Sequence, residues 1–400
     1  MDIDPASSAA PTLSVVVPVH GVEAYLRQCL DSILTGTPDE GGTTGRPLDG
    51  SAVPAGAGRR PDLEVIAVDD ASPDGCAAIL DEYARRDPRV RVVHLAANVG
   101  LGRARNAGLA QATGDYVWFV DGDDWLPPGA VAAVRARLAV SRPDVLVVDH
   151  AEVPEGGSAR PPASAGALTG LPTPLRLADH PTLLRLAQSA CTKVTRRAFL
   201  DEINLRFLPG WYEDCSYTHP LLMAAGSIDL LDQVCYHYRQ RTSGGITRTV
   251  SPRHFDVFDQ YERLFTLVDQ ADGAYEVFRP ELFRLMINHY LVIVGNDRRL
   301  PARMRRDFFR RIAADYRRWA PAGGYPEPEG LAGVKHRLVR RDAYPAYRLL
   351  RQAHHTASGV RHLVRTGRRA AVTGTPTGTA DARTPAAAAT GDSRTPVTAG

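Results

Sequence analysis

The chain has 400 residues, 44% of them hydrophobic, and a formal net charge of +3 at pH 7. This length allows a catalytic domain with a sizeable core and a smaller appendage. The small net charge argues against a nucleic-acid partner for the whole chain. The five cysteines are an odd number without CxxC spacing, so neither a disulfide framework nor a zinc site is predicted, and reduced thiols favour a cytoplasmic protein.

Neither an export signal nor a membrane span is predicted from the sequence. The N-terminus lacks the basic stretch followed by an apolar stretch that is typical of a signal peptide. No apolar run approaches the roughly 20 residues that cross a bilayer. Any contact with a membrane is therefore expected to be peripheral.

Strands and helices are predicted to alternate through the first 150 residues. After a flexible leader at residues 1–11, apolar runs typical of strands buried on both faces occur at 13–19, 63–68, 90–95, 116–120 and 145–149. Segments with helical periodicity separate these runs, and residues 35–61, rich in Gly, Pro, Thr and Asp, are predicted to form a disordered insertion. This order predicts an α/β fold with a mostly parallel, doubly wound sheet.

An acidic cluster follows the fourth predicted strand, in the segment GDYVWFVDGDDW at residues 114–125. Asp121 and Asp123 are two residues apart, so extended backbone would direct both carboxylates to the same side. Two such carboxylates form a seat for Mg²⁺, whose remaining positions are usually filled by water and substrate phosphates. A solvated turn, or a cap by Asp123 or Asp124 on the next helix, is the alternative interpretation.

Polar residues also follow the second and third predicted strands. Asp69 and Asp70 end the second strand, where turn chemistry and a ligand role are both consistent with the pattern. Ser72 is predicted to be the N-cap of the following helix. Arg105 enters a helix just after a glycine turn, within reach of a phosphate or a carboxylate near the edge of the sheet.

Four segments taken together resemble the family 2 glycosyltransferases, which have the GT-A fold. They are VVVPV at residues 15–19, VDDASPDG at 68–75, NVG at 98–100 with ARNAG at 104–108, and GDY at 114–116 leading into DGDD at 121–124. They occur in the family's order across about residues 12–150, and such a combination is highly specific. A dinucleotide oxidoreductase is disfavoured because no GxGxxG follows the first strand.

The resemblance implies a binding site for a nucleotide-sugar donor. It implies that Pro18 and Val19 line the base pocket with Glu23 nearby, that Asp70 hydrogen-bonds the base, and that Arg105 approaches the nucleotide. The sequence departs from the family pattern at residues 20–21, which are His-Gly in place of Tyr-Asn, and in the long insertion at 35–61. Both departures bear on the environment of the donor base.

The resemblance also implies a metal site at the acidic cluster. Asp121 would hold the ribose or a metal-bound water, and Asp123 would ligate the metal on the donor diphosphate. The expected cofactor is Mg²⁺ or Mn²⁺.

The second half contains an acidic pair between aromatic residues, Glu213 and Asp214. Burial would raise the pKa of such a carboxylate toward the range of a general base, although a carboxylate that only favours a helix start fits the same pattern. In the family that the chain resembles, a Glu-Asp pair at this place supplies the base, and we assign that role to Asp214. Residues 189–194 and 228–238 are predicted strands, the second at the sheet edge.

A basic segment follows the last predicted strand. Arg241 and Ser243 lie beside a Gly-Gly turn, in a segment that resembles the end of the catalytic domain in non-processive family members. We expect this segment to contact the donor pyrophosphate, although an exposed basic loop is the alternative. The catalytic domain is thus predicted to cover residues 12–250.

The remainder is predicted to be a helical, basic C-terminal region at residues 251–370 and a disordered tail at 371–400. Between residues 331 and 370 there are ten Lys or Arg residues against one acid, Asp342. Such a helical segment is typical of contact with anionic lipid at the inner face of the plasma membrane, of contact with a polyanionic acceptor, or of a solvated helix face.

The resulting hypothesis is a metal-dependent, inverting transferase that moves a sugar from a nucleotide-diphosphate sugar to a hydroxyl acceptor. The second half resembles transferases of actinobacterial cell-wall polymers similar to teichoic acid, which favours a polyanionic or lipid-linked acceptor. An oligomer is compatible with the sequence, and no nucleic-acid partner is expected. The alternatives are a nucleotidyltransferase and an inactive nucleotide-binding scaffold.

Overall fold

The computed structural model describes residues 10–35, 62–161, 166, 169–186, 188–242 and 245–353. Five of the predictions fall wholly or mainly outside these ranges. They concern the leader up to residue 9, the insertion at 36–61, Ser243, the basic segment after residue 353, and the tail.

In the described part of the chain, seven strands form one sheet in the order β3-β2-β1-β4-β6-β5-β7. The strands are β1 Leu13–Val19, β2 Leu63–Asp69, β3 Val90–His94, β4 Tyr116–Phe119, β5 Val145–Pro154, β6 Lys193–Arg196 and β7 Ile228–Gln240. Neighbouring strands are parallel except for β6, which is antiparallel to both β4 and β5. The predicted mostly parallel α/β sheet is confirmed.

The register of the central strands brings their carboxyl ends together. Val19 at the end of β1 is opposite Asp69 at the end of β2, and Phe119 at the end of β4 is opposite Val16. Every residue of β1, β2 and β4 is buried, as expected for strands covered on both faces. The polar residues after β2 and β4 therefore lie at one edge of the sheet.

Helices in the described ranges alternate with the first strands and then follow one another in the second half. They are α1 Glu23–Leu34, α2 Cys76–Arg86, α3 Leu101–Leu109, α4 Ala130–Ser141, α5 Arg197–Glu202, α6 Glu213–Ala224, α7 Asp256–Gln270, α8 Arg279–Gly295, α9 Arg305–Trp319 and α10 Gly330–Arg340. Helix α3 packs closely on the sheet because Gly108 has no Cβ. A Cβ there would lie 2.4 Å from Cγ1 of Val16 and 3.0 Å from Cγ2 of Val68.

The predicted N-cap at Ser72 is wrong, and the structure also excludes the alternative interpretation of Asp123 or Asp124 as a cap. Helix α2 begins at Cys76 after Gly75, and the Ser72 hydroxyl instead accepts a hydrogen bond from the Gly21 amide at 2.9 Å. Helix α4 begins after Gly129 without a side-chain cap, so neither Asp123 nor Asp124 has the capping role given by the alternative interpretation. In both places the polar side chain forms a hydrogen bond with a residue distant in the sequence and does not cap the helix.

The predicted C-terminal helical region is confirmed, and aromatic side chains form its core. The rings of Phe258 on α7 and Phe308 on α9 have centroids 4.6 Å apart, and Phe265 stacks on Trp319 at 5.3 Å. On α10, Arg337 and Arg340 form ion pairs with Glu327, which offsets part of the predicted basic charge.

The chain divides into two compact units, residues 1–344 and 345–400. Within the second unit the structure describes residues 345–353, which are helical. Among the described residues there is no helix with the length and apolarity needed to cross a membrane.

Candidate active site

Arg105 on α3 joins carboxylates from two distant parts of the sequence. One guanidinium nitrogen donates to Asp121 at 2.8 Å, and the other donates to Glu213 at 2.9 Å and to Asp214 at 3.0 Å. The arginine side chain is only 1% exposed. Its predicted ability to reach a carboxylate is thus realised within the protein, and its contact with a nucleotide stays a prediction.

Asp70 determines where α3 starts, and therefore where Arg105 lies. Its two carboxylate oxygens accept the backbone N–H groups of Val99 at 2.6 Å and Gly100 at 2.9 Å. Gly100 has φ of 88°, in the left-handed region that favours glycine, and the helix begins at the next residue. The structure thus gives Asp70 a structural role, while its hydrogen bond to a nucleotide base stays a prediction.

Glu213 and Asp214 start α6 on the far side of Arg105. Burial raises the pKa of Glu213 to about 7, with the Asp214 charge adding to the effect and Arg105 opposing it. Burial also raises the pKa of Asp214, against the effect of Arg105. The Glu213 side chain is 4% exposed, whereas that of Asp214 is 26% exposed. Asp214 is therefore the more accessible carboxylate of the pair.

The three carboxylates after β4 have different partners. Asp121 pairs with Arg105, whereas Oδ2 of Asp123 lies 3.1 Å from Nε of Arg241, the residue directly after β7. Burial, followed by the charge of Asp121, raises the pKa of Asp123. Asp121 and Asp123 are thus close enough to repel each other, although each forms an ion pair with a different arginine.

Asp124 has a structural role that the sequence did not predict. Its carboxylate accepts hydrogen bonds from the Tyr236 hydroxyl at 2.5 Å and the Arg239 amide at 2.7 Å. Burial raises its pKa well above the ordinary value. Because Tyr236 is 112 residues away in the sequence, no local pattern could have indicated this contact, which joins the acidic cluster to β7.

A cavity of about 100 Å³ lies between Asp123 and the segment after β7. Three arginines, Arg239, Arg241 and Arg248, line it together with this single carboxylate, Tyr238 and residues of the following loop. Three positive charges against one negative charge suit an anionic ligand such as a diphosphate. Ser243, predicted to bind the donor, is outside the described residues.

The end of β1 lies next to the acidic cluster. A Cβ on Gly122 would be 3.1 Å from the carbonyl oxygen of Pro18 and 3.4 Å from Cγ2 of Val19, so this turn fits closely over both residues. Glu23 is held by the loop after β2, where it accepts the Gly75 amide at 2.8 Å. The structure thus brings Pro18, Val19 and Glu23 to the same edge as the carboxylates.

The residues after β4 fit a divalent cation as a two-carboxylate seat. Asp121 and Asp123 each contribute a carboxylate, and their side chains are 24% and 22% exposed. Within the described residues, no cluster of three or more His, Cys, Asp or Glu side chains is arranged to hold a metal. Any cation here would therefore depend on substrate oxygens to complete its coordination, as Mg²⁺ commonly does.

This sheet order and this acidic strand end define the GT-A class of fold. Solved structures agree: the fold is similar to that of Staphylococcus aureus TarS 1–349 in complex with UDP-GlcNAc, with a TM-score of 0.62 and 19% sequence identity over 86% of this chain and 92% of TarS 1–349.

Sequence comparisons give the family. Residues 14–203 match the model of Glycosyl transferase family 2. The uncharacterized glycosyltransferase EpsJ of Bacillus subtilis is 27% identical over 58% of this chain and 61% of its own length. TuaG of the same organism, whose name provisionally assigns it to teichuronic acid biosynthesis, is 35% identical over 28% of this chain and 36% of its own length. The predicted resemblance to family 2 glycosyltransferases is therefore confirmed over residues 14–203.

Proposed function

We propose that this protein transfers a sugar from a nucleotide-diphosphate sugar to a hydroxyl group, with inversion at the anomeric carbon. The observation that carries the proposal is the arrangement of charge around Asp121. The arginine-lined cavity lies on the Asp123 side, and the accessible Asp214 lies on the Arg105 side. This arrangement supports a donor diphosphate on one side and an acceptor hydroxyl on the other.

Asp214 is the proposed general base. It is the more exposed member of its pair, and burial raises its pKa toward the range useful for accepting a proton. It would accept the proton of the acceptor hydroxyl while that oxygen attacks the anomeric carbon from the face opposite the nucleotide. Arg105, held between Asp214 and Asp121, keeps the base in register with the donor side.

The arginines of the segment that follows β7 are the proposed partners of the leaving diphosphate. Arg241 and Arg248 line the cavity, where their charges would stabilise the negative charge that develops as the glycosidic bond breaks. Arg241 forms an ion pair with Asp123, so a bound diphosphate would share this arginine with the carboxylate.

Asp123, with Asp121, would hold Mg²⁺ or Mn²⁺ on the donor. When bound, the cation would supply positive charge to the diphosphate oxygens. Burial raises the pKa of Asp123, and repulsion by the Asp121 charge adds to the effect. This repulsion supports the proposal because a cation would relieve it.

The acceptor is proposed to be a precursor of a cell-wall or surface polysaccharide. The name of TuaG and the basic residues of the C-terminal region support this class. We also propose a cytoplasmic location, with residues 331–370 contacting the inner face of the plasma membrane or a polyanionic acceptor.

The test is a panel of UDP-, GDP-, CDP- and dTDP-sugars, each with Mg²⁺, Mn²⁺ or EDTA. Thermal shift identifies the donor, and UDP-GlcNAc is the first candidate because a TarS structure contains it. Reaction with a hydroxyl acceptor should then release a nucleoside diphosphate and yield a β-linked product from an α-linked donor. Release of pyrophosphate from a nucleoside triphosphate would support a nucleotidyltransferase instead, and an α-linked product would exclude inversion.

A further inference from the structure

A buried imidazole, that of His254, lies between the two sides of the proposed active site. It belongs to a short 3₁₀ helix, Pro252–Phe255, just before α7, and it is fully buried. Its Nδ1 lies 2.6 Å from the Tyr212 hydroxyl, and its Nε2 lies 2.8 Å from the Thr249 carbonyl oxygen. The ring therefore joins the loop that contains Tyr212 to the loop that contains Thr249.

The chemistry of the two partners determines where the ring carries its proton. The Thr249 carbonyl can only accept, so Nε2 must donate to it. Burial lowers the pKa of His254 and favours the neutral ring. The unprotonated Nδ1 then accepts a hydrogen bond from the Tyr212 hydroxyl. Two charged groups face the ring: Arg299 disfavours its protonation, and Asp256 favours it.

On one side of the imidazole is the loop that carries the proposed base. Tyr212 immediately precedes Glu213 and Asp214, and its φ of 66° is a strained value for a residue with a Cβ. Strained backbone persists only where its surroundings hold it. The same loop receives further bonds from the start of α7, because Asp256 accepts the Trp211 amide at 3.0 Å and Gln260 donates to the Pro209 carbonyl at 3.0 Å.

On the other side is the loop that borders the donor cavity. We call residues 245–249 the cavity loop; it contains the 3₁₀ helix Ile246–Arg248. Gly245, Thr247 and Arg248 line the cavity, and Thr249 follows directly. The His254 ring thus connects the Thr249 carbonyl to the Tyr212 hydroxyl, through one short hydrogen bond at each ring nitrogen.

We propose that His254 is a positioning residue that couples the cavity loop to the loop bearing the general base. The proposal rests on the proposed function for the identity of the base, but the physical link between the two loops does not. Displacement of the cavity loop shifts the Tyr212 ring through the imidazole, and with it the backbone that begins α6. Because a misplacement of about 1 Å at a reacting group costs roughly 100-fold in rate, this link makes the geometry of Asp214 depend on the donor side.

Conservative variants separate the two hydrogen bonds. In His254→Asn, the side-chain oxygen takes the place of Nδ1 and accepts from Tyr212, while the bond to Thr249 is lost. In His254→Gln, the amide nitrogen reaches toward Thr249, while the acceptor for Tyr212 is lost. Tyr212→Phe removes only one hydroxyl and is the mildest change, so it remains informative if a His254 variant does not fold.

His336 provides the matched control. It is also fully buried, accepts from the Tyr325 hydroxyl through Nδ1 at 2.8 Å, and uses Nε2 to bond Asn288 at 2.9 Å. It lies on α10 and contacts neither loop of the proposed link. The pair Tyr325→Phe and His336→Asn therefore reproduces the chemistry of the test variants at a site without the proposed coupling.

The first measurement is amide hydrogen exchange of the full-length, ligand-free protein, which needs no turnover. The amides of Arg248 and Thr249 are hydrogen-bonded within the cavity loop, so their exchange reports its opening. Tyr212→Phe should accelerate their exchange by about 5- to 150-fold, the usual range for coupled sites. This effect would have to pass through His254, because the Tyr212 hydroxyl bonds to that ring. The same substitution in a His254→Ala background should add no further acceleration, and Tyr325→Phe should leave these amides unchanged.

Steady-state kinetics with UDP-GlcNAc or the donor found in the panel is the second measurement. Tyr212→Phe should lower kcat by roughly 10- to 100-fold with an unchanged donor KM, and His254→Asn should restore part of the kcat lost in His254→Ala. Unchanged exchange of residues 248–249 in Tyr212→Phe would overturn the coupling. If Tyr212→Phe accelerates this exchange but the wild-type protein transfers no sugar, the proposed function is refuted and the coupling is not.

Discussion

Arg105 and Glu213 are 108 residues apart in the sequence, yet a guanidinium nitrogen of one lies 2.9 Å from a carboxylate oxygen of the other. The same guanidinium contacts Asp121 and Asp214. One buried cation therefore determines how the acidic strand end and the start of α6 face each other.

Replacing the proposed base should abolish transfer while leaving donor binding intact. Asp214→Asn removes a proton acceptor and should lower kcat by about 100-fold or more, with an unchanged donor affinity in a thermal-shift titration. Asp259→Asn is the matched control because Asp259 also lies in the first turn of a helix but is exposed. An Asp214→Asn enzyme with wild-type kcat would show that this carboxylate only favours the start of α6.

Two neighbouring carboxylates should respond differently to the same substitution. Asp123→Asn should abolish the cation-dependent part of donor binding, because Asp123 lines the cavity. Asp124→Asn should retain it, because an amide oxygen can still accept from the Arg239 amide. Isothermal titration of UDP-GlcNAc with Mg²⁺ and with EDTA distinguishes them. Equal loss in both variants would refute Asp123 as the metal ligand.

Removing the charge of Arg105 should destabilise the protein. Arg105→Met leaves Glu213 buried without its ion-pair partner, which should lower the free energy of unfolding by about 3–5 kcal/mol. Urea denaturation provides the measurement. Arg27→Met, which breaks the surface pair with Glu82, should change the midpoint little. A comparable effect of the two substitutions would mean that the Arg105 contacts contribute no more than a surface pair.

Stability should fall with rising pH because of Glu213. Its pKa is raised from an ordinary 4.5 to about 7 by burial, so the folded protein holds this proton more tightly than the unfolded chain does. The resulting stabilisation is complete at a pH below the pKa of Glu213 in the unfolded chain, and it is lost as the pH rises through the folded-state pKa of about 7. Thermal denaturation across this range should show a decline in Tm relative to Glu213→Gln, which lacks the titrating proton. Parallel curves for the two proteins would contradict the prediction.

Gly102 on α3 should not tolerate replacement by alanine. A Cβ at Gly102 would lie 2.6 Å from the Leu208 carbonyl oxygen and 3.3 Å from Cγ of Glu213. Gly102→Ala should therefore cost about 1–3 kcal/mol of stability by overpacking and should lower kcat by displacing α6. At Gly323 a Cβ would meet nothing within 4 Å, so Gly323→Ala should preserve both quantities when measured by denaturation and transfer assays.

The sequence by itself determined the order of elements and the chemistry of the sheet edge. Continuous apolar runs predicted strands buried on both faces, and their parallel order placed Asp70 and the cluster at residues 121–124 on one side. These signals are local, since burial pattern and turn chemistry act over a few residues. The predicted cap at Ser72 was wrong, because that hydroxyl bonds to the Gly21 amide. The alternative interpretation of Asp124 as a cap also fails, because its carboxylate bonds to Tyr236.

Only the tertiary structure decided which polar groups meet. The antiparallel insertion of β6 between β4 and β5, the burial of Arg105 among three carboxylates, and the contact of His254 with two loops all join residues from separate segments. Such contacts follow from how helices and strands pack in three dimensions, and neither periodicity nor spacing encodes them. The difference in exposure that singles out Asp214 over Glu213 likewise exists only in the folded chain.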